Sequence, residues 1–313
     1  MALLIQYTLL YASVLMLVAL GGMMSERSGV INLGLEGIMV MGALGGALTM
    51  SYMPASVTGF SVFLLALLSS VVCGMIYSLF LAVAAINFRA DQTIVGTAMN
   101  MLATALATVI VKAINTSQDK SNVSSIVRYI DQKKNLILNI GNFEFGYFII
   151  VAVLVLICAY IMLYRTKIGL HLMSCGEHPQ AADSVGINVY KMRYLGVLIS
   201  GAFGGIGGIA YITAGVSEWK FENGVAGFGF LALAVMIFGQ WKPFKIAAAA
   251  LLFGLFRSLS NVYTGFDFLT SLGLGSTFYN MLPYLISLIV LAFASKRSRA
   301  PKAEGIPYEK GQR

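Results

Sequence analysis

Charge is what this sequence has least of. Only 11% of its 313 residues are Asp, Glu, Lys or Arg, while 58% are hydrophobic and the mean hydropathy is +0.82. Soluble domains carry about 25% charged residues, so this balance excludes an ordinary water-soluble fold. Cysteine is scarce as well: Cys73, Cys158 and Cys175 form no CxxC pair, and the first two fall in apolar stretches. Neither a disulfide framework nor a thiolate metal centre is implied. His171 and His178 are isolated and lack ligand spacing. No G-x-x-x-x-G-K-[ST] occurs, so the chain has no such loop with which to cradle nucleotide phosphates. Gly205-Ile206-Gly207-Gly208-Ile209-Ala210 fits G-x-G-x-x-A by letter, but inside an apolar stretch with no preceding strand. The first apolar stretch has no basic flank or small-residue cleavage site before it, and is expected to be retained.

What the sequence does have is long apolar runs. They repeatedly reach the roughly 20 residues that carry a helix across about 30 Å of hydrocarbon, whereas barrel strands would be about 10 residues long and alternating. The expectation is an all-α polytopic membrane protein, a bundle of about nine (8–10) transmembrane helices. The spans fall near 3–24, 30–50, 60–86, 93–112, 146–165, 194–214, 226–240, 246–263 and 279–295. The seventh is short enough to be partly re-entrant, and the glycine-rich second could be broken. Placing the N-terminus outside puts most of the 21 Lys and Arg residues in cytoplasmic segments, including the C-terminal tail. The net charge of +8 is therefore assigned to membrane orientation and not to nucleic acid. Residues 1–295 form one membrane domain, with an external loop at 113–145 and a cytoplasmic segment at 165–193. The basic tail 296–313 is expected to be solvated.

Polar residues inside apolar runs carry the functional information. Asn32 and Glu36 are one helical turn apart, and a carboxylate in lipid marks either a polar pathway or a structural pair with a neighbouring helix. Thr93, Thr97, Asn100, Thr104 and Thr108 form one stripe on a helix, which could line a pore or bond back to carbonyls one turn away. Asn32, Glu36, Thr97 and Asn100 are the expected lining of a translocation path. Ser200, Gly204 and Gly208, like Gly42 and Gly46, recur every four residues and predict close helix packing. Arg257 is expected to snorkel to the interface or to form an ion pair.

The longest polar interval on the cytoplasmic side is 165–193. Within it, Glu177 to Gly186 has an acidic residue and a proline in its first turn, small residues in its middle and a terminating glycine. That pattern predicts a short exposed helix whose Ala181, Ala182 and Val185 offer a flat face to another protein.

Gly176-Glu177-x-Pro179-x-Ala181-Ala182-x-x-x-Gly186-Ile187 resembles the coupling-helix motif of permease subunits of ABC importers in the branched-chain amino acid, simple sugar and nucleoside group. Gly29-Val30-Ile31-Asn32-Leu33-Gly34-Leu35-Glu36-Gly37-Ile38-Met39 and the stretch from Gly229 to Pro243 are similar to the nucleoside-type branch. The resemblance implies that Gly176, Glu177, Pro179, Ala181, Ala182, Val185 and Gly186 contact an ATPase. It further implies no enzymatic activity in this chain, ATP and Mg held by partner ATPase subunits, a second permease subunit, an extracellular substrate-binding protein, and the cytoplasmic membrane of a bacterium. The solute is then a nucleoside or related simple sugar. A branched-chain amino acid permease and an ion-coupled secondary transporter remain the alternatives.

Overall fold

The computed structural model describes residues 2–54, 56–129, 132, 134–140, 143–214, 218–266, 271, 273, 275–294 and 300–310. Its helices are α1 (Ala2–Arg27), α2 (Leu35–Tyr52), α3 (Phe60–Ala82, continued by a π-helical turn Val83–Asn87), α4 (Gln92–Gln118) and α5 (Tyr147–Arg165). They continue with α6 (Lys167–Glu177), α7 (Pro179–Ser184), α8 (Val189–Ile212), α9 (Phe228–Phe238), α10 (Pro243–Val262) and α11 (Ser276–Ala294). Several starts are written in the sequence. Asp91 accepts from the amides of Thr93 and Ile94 at the head of α4, and Asn188 caps α8 by accepting from Lys191 N. Pro179 and Pro243 occupy the first turns of α7 and α10, where a missing N–H costs nothing.

Helix α8 is the centre of the bundle, packed against α1, α2 and α3. Glycines explain how it fits. A Cβ on Gly205 would strike the backbone of Ser70, one on Gly208 the backbone of Met39, and one on Gly42 the backbone of Gly205. These helices therefore meet backbone to backbone, as the four-residue repeats of small residues predict.

Among the described residues, seven stretches are long and apolar enough to cross a membrane: Ala2–Arg27, Phe60–Asn87, Gln92–Gln118, Tyr147–Arg165, Val189–Ile212, Phe221–Phe238 and Pro243–Gly265. Each overlaps an expected span. Helix α2, with 18 residues, rises about 27 Å and is marginal for a crossing. It starts at Leu35, not near residue 30, because 28–34 are unwound. That unwound stretch is satisfied locally: Ser25 Oγ donates to Val30 O, Ile31 N donates to Gln92 Oε1, and Asn100 Nδ2 donates to Leu33 O.

Two expectations are corrected. The 113–145 loop begins later, because α4 runs to Gln118. Beyond it, Ile126–Arg128 pairs antiparallel with Glu218–Lys220, and Ile137–Ile140 pairs with Phe143–Gly146. The tail is not solvated at 300–310: Ala303 and Tyr308 are buried against the end of the bundle that carries Arg27, Arg89 and Arg193. The tail residues 295–299 and 311–313 lie outside the described ones.

Candidate functional site

Two places bring chemistry-bearing residues together. The first is inside the bundle. Helix α9 has only 11 residues, about 16 Å or half a bilayer, and begins where the chain turns back at Gly224–Gly227. Gly224, Ala226 and Gly227 all have positive φ, at 56°, 53° and 80°. In that region a side chain is strained, which is why two of the three are glycine. The Glu36 carboxylate caps the half-helix: Oε1 accepts from Gly227 N at 2.8 Å and Oε2 from Gly229 N at 2.7 Å. A negative charge at a helix N-terminus is favoured by the macrodipole and by the otherwise unpaired amides. Trp219 Nε1 donates to Gly224 O at 3.0 Å and Tyr284 Oη donates to Ala226 O at 3.2 Å, fixing the same turn from outside. Aromatic rings pack around it, with Tyr211 and Phe228 centroids 4.3 Å apart. The Arg257 guanidinium sits 5.6 Å from both the Tyr11 and Phe228 rings and donates to Ser260 Oγ. It makes cation–π contacts with these rings.

The four residues expected to line a path are thus not grouped around one lumen. Asn32 is fully buried and its Nδ2 donates to Ser200 Oγ at 2.8 Å. Asn100 is buried, accepting from Gly37 N and donating to Leu33 O, so it joins α4 to the start of α2. Thr97 is exposed on α4, its hydroxyl bonded to Thr93 O one turn back. Thr104, half-buried on the same helix, lies beside Gly224.

The second place is the segment 165–193 at the basic end of the bundle. Thr166 caps α6 by accepting from Gly169 N. At its far end Glu177 lies 3.9 Å from Arg27 and His178 links to α7. Helix α7 closes where Gly186, at φ 87°, donates to Asp183 O and Ile187 N donates to Ala182 O. Six of the seven expected contact residues divide into two sets, with Glu177 between them. Gly176, Pro179 and Ala182 are buried; a Cβ on Gly176 would strike Arg27 O. Ala181, Gly186 and Val185 are exposed, Val185 at 75%. The expectation of one flat face containing Ala182 is corrected, because Ala182 packs inward with Cys175, Val189 and Tyr308. Glu177 is partly exposed.

Sequence reasoning missed the Gly224–Gly229 turn and the partners of Arg193. A signal existed for the first: three glycines at the start of a short apolar run. For the second there was none, since a contact between positions 193 and 306 has no local trace.

Residues 4–294 match the protein family described as branched-chain amino acid transport system, permease component. The chain is 39% identical over 320 residues to the guanosine ABC transporter permease protein NupQ of Bacillus subtilis, covering 100% of this chain and 98% of that protein. It is 38% identical to the nucleoside ABC transporter permease protein NupC of Lactococcus lactis, covering 97% and 96% of the two chains. In fold it is similar to a metal-chelate type ABC transporter solved in an inward-facing conformation, with a TM-score of 0.52 at 15% identity over 94% of this chain and 85% of that one. A bundle of apolar helices with a short exposed helix on its basic end is what such a subunit needs, and the chain belongs to this family of ABC transporter permease subunits.

Proposed function

We propose that this chain is the membrane subunit of an ATP-driven nucleoside importer, crossing the cytoplasmic membrane of a bacterium nine times with its N-terminus outside. The observation that carries this reading is the exposed face of α7. Ala181 projects from a six-residue helix and Val185 from its C-cap, while the opposite side is anchored through Ala182 and Pro179. A small helix with an apolar outer face and a rigid inner one is a suitable contact for a motor. The working assembly contains two ATPases that bind ATP and Mg, a second permease subunit and an external binding protein. The basic cluster of Arg27, Arg89, Arg193 and Lys302 at the α7 end supports placing that end in the cytoplasm.

The solute path runs along the outer face of α4. Thr93 and Thr97 are exposed there among Ile94, Met101, Leu102 and Val109, and Thr104 and Thr108 are half-buried, whereas the exposed faces of α3 and α5 carry Leu, Ile, Val, Phe and Tyr without such a row of hydroxyls. Lipid-facing surfaces are bulky and apolar, and surfaces that meet another helix are small or hydroxylated. A second permease subunit facing α4 would enclose a path lined by hydroxyls and by the Glu36-capped turn. Uncharged hydroxyls suit a neutral polar solute, and the relatives named for guanosine and nucleosides support that class.

The test is Ala181→Glu together with Val185→Glu. Both positions are exposed, so membrane insertion and thermal stability are expected to stay within about 0.5 kcal/mol of wild type. Co-purification of the ATPase and ATP-dependent nucleoside uptake are expected to be lost. Uptake that persists without an ATPase would refute the reading.

A further inference from the structure

The segment 300–310 crosses the same end of the bundle as α7 and touches five places there: α6, α7, α8, the α1–α2 turn and the link between α3 and α4. Ala303 N donates to Gly176 O at 2.8 Å, and Gly305 N donates to Gly29 O at 3.2 Å in the α1–α2 turn. The Tyr308 ring is buried beside Ala182 and Cys175 and meets Tyr190 of α8 edge to face, with centroids 5.4 Å apart. The Asp183 carboxylate of α7 lies near its hydroxyl. Glu309 pairs with Arg89, between α3 and α4.

Arg193 is the key to this arrangement. Its side chain is 1% exposed, and Nη1 donates to Ile306 O at 3.0 Å. Among the described residues its Nε and Nη2 have no hydrogen-bond acceptor. A Cβ on Gly29 would press on Nη2, so the guanidinium lies directly under the α1–α2 turn. Burying a cation this completely is costly. The segment supplies its acceptor at Ile306 O and, together with the α1–α2 turn, encloses it.

We propose that residues 300–310 are a strap that belongs to the force-transmitting device: keyed to Arg193, it fastens α6 and α7 to α8 and to the α1–α2 turn. A push on α7 alone would swing a six-residue helix about its His178 link. With the strap docked, the same push is delivered to α8, the helix that packs on α1, α2 and α3. Arg193 and Tyr308 are then positioning residues that act through the strap. This inference rests on the proposed role of α7 as the ATPase contact.

The experiment uses the assembled transporter, with this chain either intact, ended after Arg299, or carrying Tyr308→Ala. Three quantities are read: ATPase co-purification, ATP hydrolysis, and ATP-dependent change in maleimide labelling of a Val109→Cys reporter on the exposed side of α4, with guanosine uptake alongside. The strap predicts that both altered chains retain the ATPase and at least half of its hydrolysis. It also predicts that the ATP-dependent labelling change and uptake per ATP fall tenfold or more in the shortened chain. Tyr308→Ala should fall in between, and it decides the matter if the shortened chain does not accumulate. Unchanged labelling response and uptake per ATP in the altered chains would overturn the strap and leave the α7 assignment standing. Failure of the ATPase to co-purify with the intact chain would sink the α7 assignment, and the strap with it.

Discussion

Glu36→Ala removes both acceptors from the head of α9 and strands Gly227 N and Gly229 N in the bundle. An unpaired buried donor costs about 1–3 kcal/mol, so the pair amounts to about 2–6 kcal/mol. Glu36→Gln keeps one oxygen and loses one bond and the charge. The expected loss is about 1–3 kcal/mol for the bond, with about 0.3–2 kcal/mol more for the charge at the helix N-terminus. The order of stability should therefore be wild type, then Gln, then Ala, with transport reduced in Gln and the protein poorly accumulated in Ala. The assay is thermal unfolding of the detergent-solubilised protein followed by Trp fluorescence. The protein has two tryptophans; Trp219 donates to Gly224 O in the capped turn, and Trp241 bonds to Glu26 at the basic end. In a Trp241→Phe background the remaining signal reports the turn. An alanine variant that melts with wild type and leaves the Trp219 emission unchanged would refute the capping role.

Gly205→Leu is expected to abolish accumulation, since a Cβ there meets Ser70 backbone, while Gly265→Ala, with open space around it, should be neutral in a melting assay. Ala182→Trp cannot fit against Tyr308 and Cys175; overpacking costs about 1–3 kcal/mol, and proteolysis within 177–190 should rise. Burial raises the Glu304 pKa above its ordinary value, against a smaller opposing effect of its hydrogen bond with Glu26. The docked strap then holds its proton more tightly than the free one, so docking is strongest in acid and weakens as pH rises from the free value through the docked one. Protease protection of 300–310 should decline over that interval in wild type and be flat in Glu304→Gln.

Much of this architecture was legible in the sequence because lipid imposes simple rules. Apolar length located the seven stretches able to cross among the described residues, and glycines at four-residue spacing announced the close approach of α2 and α8. The short helix at α7 was readable from Pro179 and Gly186, whose backbone preferences act locally. What was not legible was long-range. Whether a buried Asn or Glu lines a path or ties helices together depends on what faces it, and for Asn32 and Asn100 those partners lie far along the chain. Basic composition at 296–313 pointed to water. The docking of 300–310 depends on Tyr308 and a backbone carbonyl meeting residues more than a hundred positions earlier.

Everything proposed for α7 and the strap requires that this chain move nucleosides only when a separate ATPase drives it. Uptake of labelled guanosine into proteoliposomes that contain the assembled transporter with its binding protein, with and without ATP on the ATPase side, tests that requirement. Accumulation is expected to require ATP, to be lost with Ala181→Glu and Val185→Glu combined, and to be indifferent to proton or sodium gradients. Guanosine accumulation driven by an ion gradient without the ATPase would overturn the reading.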